Sequence, residues 1–126
     1  MFMGQGLEWK LEKVNFQKKL INIEGKMVKH IILWTLKEMS EDEKTQVKAG
    51  IKAGLEGLAG KIPGLLEIKV VTEGRLETSN ADVMLDSSFE SFEALKAYAK
   101  HPEHVKVADE KVCPFTTSRS CLDFEV

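Results

Sequence analysis

A sheet of four antiparallel strands with two helices across one face, an α+β sandwich, is the fold class this sequence predicts. Three observations carry the prediction. Four runs alternate apolar and polar residues or are rich in β-branched ones. Two further runs begin on a capping residue and repeat apolar residues at helical spacing. The order along the chain is strand, helix, strand, strand, helix, strand. This split βαβ order places the strands antiparallel in one sheet and both helices on the same side of it. A chain of 126 residues has the length of one domain and buries roughly two-thirds of its unfolded surface, enough for one core.

Residues 1–26 stand apart from this pattern. They hold five lysines against three glutamates, a net of +2, which leaves −4 of the chain's total of −2 for the remainder. Leu7, Leu11 and Val14 fit a helical stripe, whereas Val14, Phe16 and the run from Leu20 to Ile23 fit a strand as well. The segment is read as an N-terminal extension of uncertain structure that packs on the domain or on a partner subunit, the alternative being an upstream extension without function. The domain proper is assigned to residues 27–126.

Val28 to Leu36 reads as the first strand, with Val28, His30, Ile32, Trp34 and Leu36 on one face and Lys29, Ile31, Leu33, Thr35 and Lys37 on the other. Both faces are apolar at the centre, so both need cover. Ser40 followed by Glu41, Asp42 and Glu43 is a capping box with acids at the positive end of a helix. Val47, Ile51, Leu55 and Leu58 continue the helix to about Leu58. Gly50, Gly54 and Gly57 within it point to close approach of another backbone or to a helix that flexes, and flexing is the reading adopted. After Gly60 to Gly64, strand two is expected over Leu65 to Thr72, with Leu66, Ile68 and Val70 opposed to Leu65, Glu67, Lys69 and Val71.

Glu73 to Asn80 is a polar loop, and strand three is expected over Ala81 to Ser87. Helix two lies in the stretch from Phe89 to His104, capped by Ser88 or Ser91, with Phe92, Leu95, Tyr98 and Ala99 sharing a face. Pro102 ends it and leaves His101 at its exit. A short helical turn follows from Glu103 to about Lys111, and Thr116 to Val126 is the last strand. On that strand Leu122, Phe124 and Val126 oppose Arg119, Cys121, Asp123 and Glu125.

Composition excludes several classes of function. Net charge −2 with mixed signs gives no electrostatic footprint for nucleic acid. The longest apolar runs fall far short of the ~20 residues of a membrane span, and the N-terminus has no signal-peptide core, so a cytoplasmic protein without a membrane partner is expected. Cys113 and Cys121 are the only cysteines. On or beside one strand they would stand about 26 Å apart at ~3.3 Å per residue, too far for a disulfide, and they are read as buried or idle thiols.

With both helices on one face, the other face, carrying Ile31 and Leu33, is bare and apolar, and two such faces would pack together as a symmetric dimer. The sequence also carries a set of motifs in order: Met27-Val28-Lys29-His30 opening a strand, Lys61-Ile62-Pro63-Gly64, Phe89-Glu90-Ser91, Tyr98 followed by His101-Pro102-x-His104, and Asp123-Phe124. Together these resemble the stress-responsive A/B barrel (Dabb) domain family over Met27 to Val126. The resemblance implies a ferredoxin-like βαββαβ sandwich pairing into a dimeric α/β barrel, and most members of the family have no known reaction. In the plant polyketide cyclase branch that forms olivetolic acid, a tyrosine and the second histidine of the HPxH motif act as an acid/base pair. These match Tyr98 and His104, and a histidine lining the same pocket matches His30. Trp34 and Val83 stand where that branch has other residues.

The resemblance thus makes Tyr98 and His104 the catalytic candidates, and an enzyme of this kind needs a base near neutral pKa and a donor for a carbonyl or enolate oxygen. Each also has a plainer reading, His104 as a cap at the helix exit and Tyr98 as a core residue with a polar tip. The ligand-binding candidates are His30, Ile32 and Trp34 on strand one, Val83 and Leu85 on strand three, and Arg119. Arg119 points either to the helix-side pocket, where it would favour a carboxylate, or to the rim, paired with a surface acid. No cofactor is expected. No metal is expected either, because His101 and His104 straddle a proline and do not share one helix face. Three functions follow in order: a homodimer that binds a small apolar or carbonyl-containing molecule, a cyclase or lyase using Tyr98 and His104, and a structural assembly module.

Overall fold

The alternation of Val28–Leu36 forms β1, and every second residue from Val28 is buried while those between are partly exposed. The computed structural model describes residues 26–126; all but the last residue of the N-terminal extension lies outside them. α1 (Glu41–Glu56) starts on the expected capping box: Glu43 N–H donates to Ser40 Oγ at 3.1 Å, and Ser40 N–H donates to Glu43 Oε1 at 2.9 Å. Those two bonds satisfy N–H groups that the first turn otherwise leaves open. Ile51 and Leu55, both buried, fix α1 to the sheet, each worth about 1.5–3 kcal/mol of apolar burial.

β2 (Leu65–Val71) pairs antiparallel with β3 (Val83–Phe89), β3 with β1, and β1 with β4 (Thr116–Glu125), giving the order β2-β3-β1-β4. Between β3 and β4 run α2 (Phe92–Lys100) and α3 (Pro102–Val107). A π-helical turn over Ala108–Val112 and a 3-10 turn over Cys113–Phe115 follow them. The fold is the predicted ferredoxin-like α+β sandwich. Its core lies between the helices and the sheet face carrying Ile32, Trp34, Val70, Leu85 and Phe89, and Ile51, Leu55, Leu95 and Tyr98 close it from above.

Several expectations are corrected. Strand three runs from Val83 to Phe89, two residues later than its alternation was read. Ser88 reads as a candidate helix cap, yet it is buried in the strand beside Ser87, which is fully buried with its hydroxyl donating to the His30 carbonyl at 2.9 Å. Phe89 is therefore a strand residue, and helix two begins after Ser91, whose side chain accepts from Ala94 N–H. In β2 the register skips Leu66. That one extra residue turns Leu65 onto the core face and leaves Leu66 exposed, the reverse of the alternation expected at the start of the strand. Phe92 and Ala99 do not join the buried face of helix two, which is Leu95 and Tyr98.

Gly54 is explained by close approach rather than flexing, because a Cβ there would stand 2.9 Å from Val107 Cγ1. Gly64 has φ +84°, and its missing Cβ would lie 2.5 Å from Ala94 Cβ, so α2 can sit down on the turn before β2. α1 also secures the sheet's edge. Glu56 Oε2 accepts from Val70 N–H at 2.9 Å, and Lys52 Nζ donates to both Glu56 Oε2 and the Val70 carbonyl. Among the described residues no helix is long and apolar enough to cross a membrane.

Candidate functional site

The helices pack over β1, β2 and β3, and β4 is left uncovered on its helix side. The gap between β4 and the α2–α3 exit is a cavity of about 470 Å³. Its residues come from six directions, α1 supplying Leu55. β1 supplies His30, Ile32 and Trp34, β3 supplies Leu85, and α2 supplies Leu95, Lys96 and Tyr98. The exit supplies His104 and Val112, and β4 supplies Arg119, Cys121 and Asp123. Of the residues singled out from sequence, His30, Ile32, Trp34, Leu85, Tyr98, His104 and Arg119 meet here. Val83 does not: it is buried in the sheet opposite Trp34, away from the cavity.

Tyr98 sits at the centre of an aromatic cluster. Its ring centroid lies 4.2 Å from His104, 4.8 Å from Phe89 and 6.1 Å from His30. Its hydroxyl is buried and has no hydrogen-bond partner among the described residues. Burial pushes the phenol pKa well above its ordinary value, against the pull of Arg119, so the group is a donor at any physiological pH. Leaving such a donor unpaired costs about 1–3 kcal/mol. A water or a ligand oxygen in the cavity would remove that cost.

His104 reaches this position because Pro102 starts α3 immediately after α2, with His101 between them. The His101 side chain accepts from Glu103 N–H at 3.1 Å and caps the start of α3, while His104 caps the exit of α2 at the Ala99 carbonyl, the plainer role considered for it. His104 Nδ1–H donates to the Ala99 carbonyl at 3.3 Å, which leaves Nε2 as its open nitrogen. Burial lowers the His104 pKa; the Ala99 bond raises it, and the neighbouring His30 and Arg119 lower it further. The ring is neutral at pH 7 and is a base.

Asp123 is the residue that sequence reasoning passed over. It lies opposite His30 across the β1–β4 ladder, and its carboxylate takes the hydrogen bond of His30 Nδ1–H. Cys121 Sγ lies 3.8 Å from the same nitrogen and 3.5 Å from the Asp123 carboxylate. Burial, and then Asp123, raise the Cys121 pKa, so the thiol is protonated at pH 7. Both partners meet one ring nitrogen, so the relay geometry of a nucleophilic cysteine is lacking. The three donor atoms lie within 4.8 Å of one another, a set that a borderline divalent ion accepts. Arg119 beside the thiol opposes a cation there. Alternation alone had put Arg119, Cys121 and Asp123 on one face; only the cross-strand register ties Asp123 to His30. Both cysteines are exposed, not buried. Arg119 has no acid partner among the described residues, contrary to the rim-pair reading.

The opposite sheet face holds Leu33, Leu122 and Phe124, all at least 40% exposed in the single chain. The Lys29–Asp86 ion pair shares that face.

Comparison with known proteins gives three results. The family model described as the stress responsive A/B barrel domain matches residues 28–126. A stress-response A/B barrel domain-containing protein of Arabidopsis thaliana is 29% identical over 102 residues, 80% of this chain. The chain spans only 37% of that relative's length. Among solved structures, a dimeric ferredoxin-like protein of unknown function from Bacteroides fragilis is 33% identical with a TM-score of 0.74, over 79% of this chain and 96% of that one. A hydroxynitrile lyase from Passiflora edulis shares the fold at 19% identity and a TM-score of 0.61, over 80% of this chain and 94% of that one.

Proposed function

Because the chain belongs to the stress-responsive A/B barrel domain family, we propose that it is a homodimer that binds a small apolar molecule carrying a carbonyl group, in the cavity between its helices and sheet. One observation carries the reading: the buried Tyr98 hydroxyl on the wall of an apolar cavity is a donor without an acceptor among the described residues. A ligand carbonyl oxygen is the acceptor that fits, with Ile32, Trp34 and Leu95 taking the apolar body. The hydroxyl is closed to water, so a neighbour must move to admit the ligand. His104 is that neighbour, since it is only half-buried on a six-residue helix without buried residues, whereas Phe89 is fixed in the core.

The dimer is supported by the exposed apolar face around Leu33, Leu122 and Phe124 and by the dimeric state of the Bacteroides fragilis protein. The two free thiols fit a reducing compartment such as the cytoplasm.

The test is a thermal-shift series with aryl ketones, butyrophenone first. Binding should raise the melting temperature of the wild type and less so that of Tyr98→Phe. If no ketone shifts the melt, or if the shift is indifferent to Tyr98→Phe, the reading fails.

A second reading, a lyase or cyclase, is favoured by the closeness of Tyr98 and His104. With the Tyr98 hydroxyl on a carbonyl oxygen, neutral His104 Nε2 can remove a proton from the adjacent carbon. Deuterium exchange into the α-position of a bound ketone, abolished in His104→Gln, would favour this reading over simple binding.

A further inference from the structure

The cavity wall carries two side-chain cations, Lys96 and Arg119. They differ in what they already touch. Lys96 Nζ lies 3.2 Å from Glu93 and 4.8 Å from the centroid of the Phe92 ring, so it is engaged at the mouth. Arg119 is paired with no acid among the described residues. Among the described residues the one carboxylate lining the cavity is Asp123, which is bound to His30. Asp123 lies four positions from Arg119 along β4, and the Cys121 thiol between them on the same face touches the Asp123 carboxylate at 3.5 Å and has Arg119 beside it, yet no ion pair joins Arg119 to Asp123. Arg119 lies opposite Trp34 on the ladder, with its charge acting on Tyr98, His104 and Cys121. An exposed guanidinium on the cavity rim, beside the Cys121 thiol and without an acid partner among the described residues, has a planar fork of donors that matches a carboxylate better than any neutral group.

We propose that the ligand is an organic acid, its carboxylate held in a fork by Arg119 and its apolar body lying against Trp34 and Ile32 toward Tyr98. With the carbonyl at Tyr98, the ligand class becomes an apolar oxo acid. This rests on the reading of the cavity as a small-molecule site, and deepens it by naming the second polar anchor.

The test compares benzoylpropionate with its amide, benzoylpropionamide, by calorimetric titration of the full chain. The two probes share the aryl ketone and differ only in the charged end. The wild type should bind the acid about ten-fold or more tightly than the amide, the effect of a charge-assisted bond. Arg119→Met should bring that ratio close to one by weakening the acid far more than the amide, and Arg119→Lys should keep part of it, having charge without the fork. β4 is an exposed edge strand at this position, so these variants retain the core. Equal binding of acid and amide by the wild type, or a ratio that survives Arg119→Met, overturns the proposal and leaves the cavity reading intact. Binding of neither probe overturns both.

Discussion

Replacing Tyr98 with phenylalanine should make the protein more stable, which is the reverse of what removal of a buried tyrosine hydroxyl ordinarily does. In the usual case the hydroxyl has a partner, and its loss costs about 1 kcal/mol. Here the hydroxyl is buried without one, so its desolvation, about 1–3 kcal/mol, opposes folding with nothing to offset it. Phenylalanine keeps the ring against Phe89 and His104, at 4.8 and 4.2 Å between centroids, and leaves the packing unchanged. A gain of about 1 kcal/mol corresponds to a rise of roughly 4–8 °C in melting temperature for a domain of this size. The assay is urea and thermal unfolding of wild type and Tyr98→Phe at one fixed protein concentration, since a dimer's stability depends on it. A loss of stability of about 0.5 kcal/mol or more, half of an ordinary hydrogen bond, would mean that the hydroxyl has a partner in solution. The argument for a waiting donor would then collapse.

Other outcomes can be checked more briefly. The His104 pKa is lower in the fold than the ordinary histidine value of about 6.5, so the unfolded chain takes up a proton first as pH falls. Stability should decline from about pH 6.5 downward until the folded group also titrates. His104→Gln should flatten that part of the stability profile, and an unchanged profile would refute the assignment. Leu33→Asp puts a charge in the exposed apolar face and should halve the mass seen by light scattering, while a wild-type monomer at low micromolar concentration would remove the barrel reading. A chain beginning at Met27 should melt cooperatively and remain dimeric, whereas aggregation would show that residues such as Trp9 or Phe16 complete the core.

Much of the fold could be read from the sequence because its signals were local. The capping box at Ser40 and the alternation from Val28 to Leu36 each act within a few residues, and both formed as read. The errors arose where a local signal was outweighed by tertiary packing. Ser88 reads as a helix cap but is buried within β3, paired with Lys29 across the ladder. Leu66 looks like a core residue but is set aside by a bulge that no periodicity announces. The site divides in the same way. Tyr98 and His104 followed from a motif in the sequence, whereas the Asp123–His30 pair depends on the β1–β4 register, fixed by residues far apart in the chain. The cavity itself depends on the helices stopping short of β4, which no single segment encodes.

The close packing of Gly54 against Val107 has a consequence for how such a pocket diverges. Position 54 lies outside the cavity, yet any side chain there meets Val107 Cγ1, 2.9 Å from where its Cβ would stand. Val107 closes the short helix that carries His104. Drift at this distant glycine would therefore reshape the site without touching a residue that lines it. Lineages descended from such a chain could acquire a new ligand while every pocket residue stayed the same.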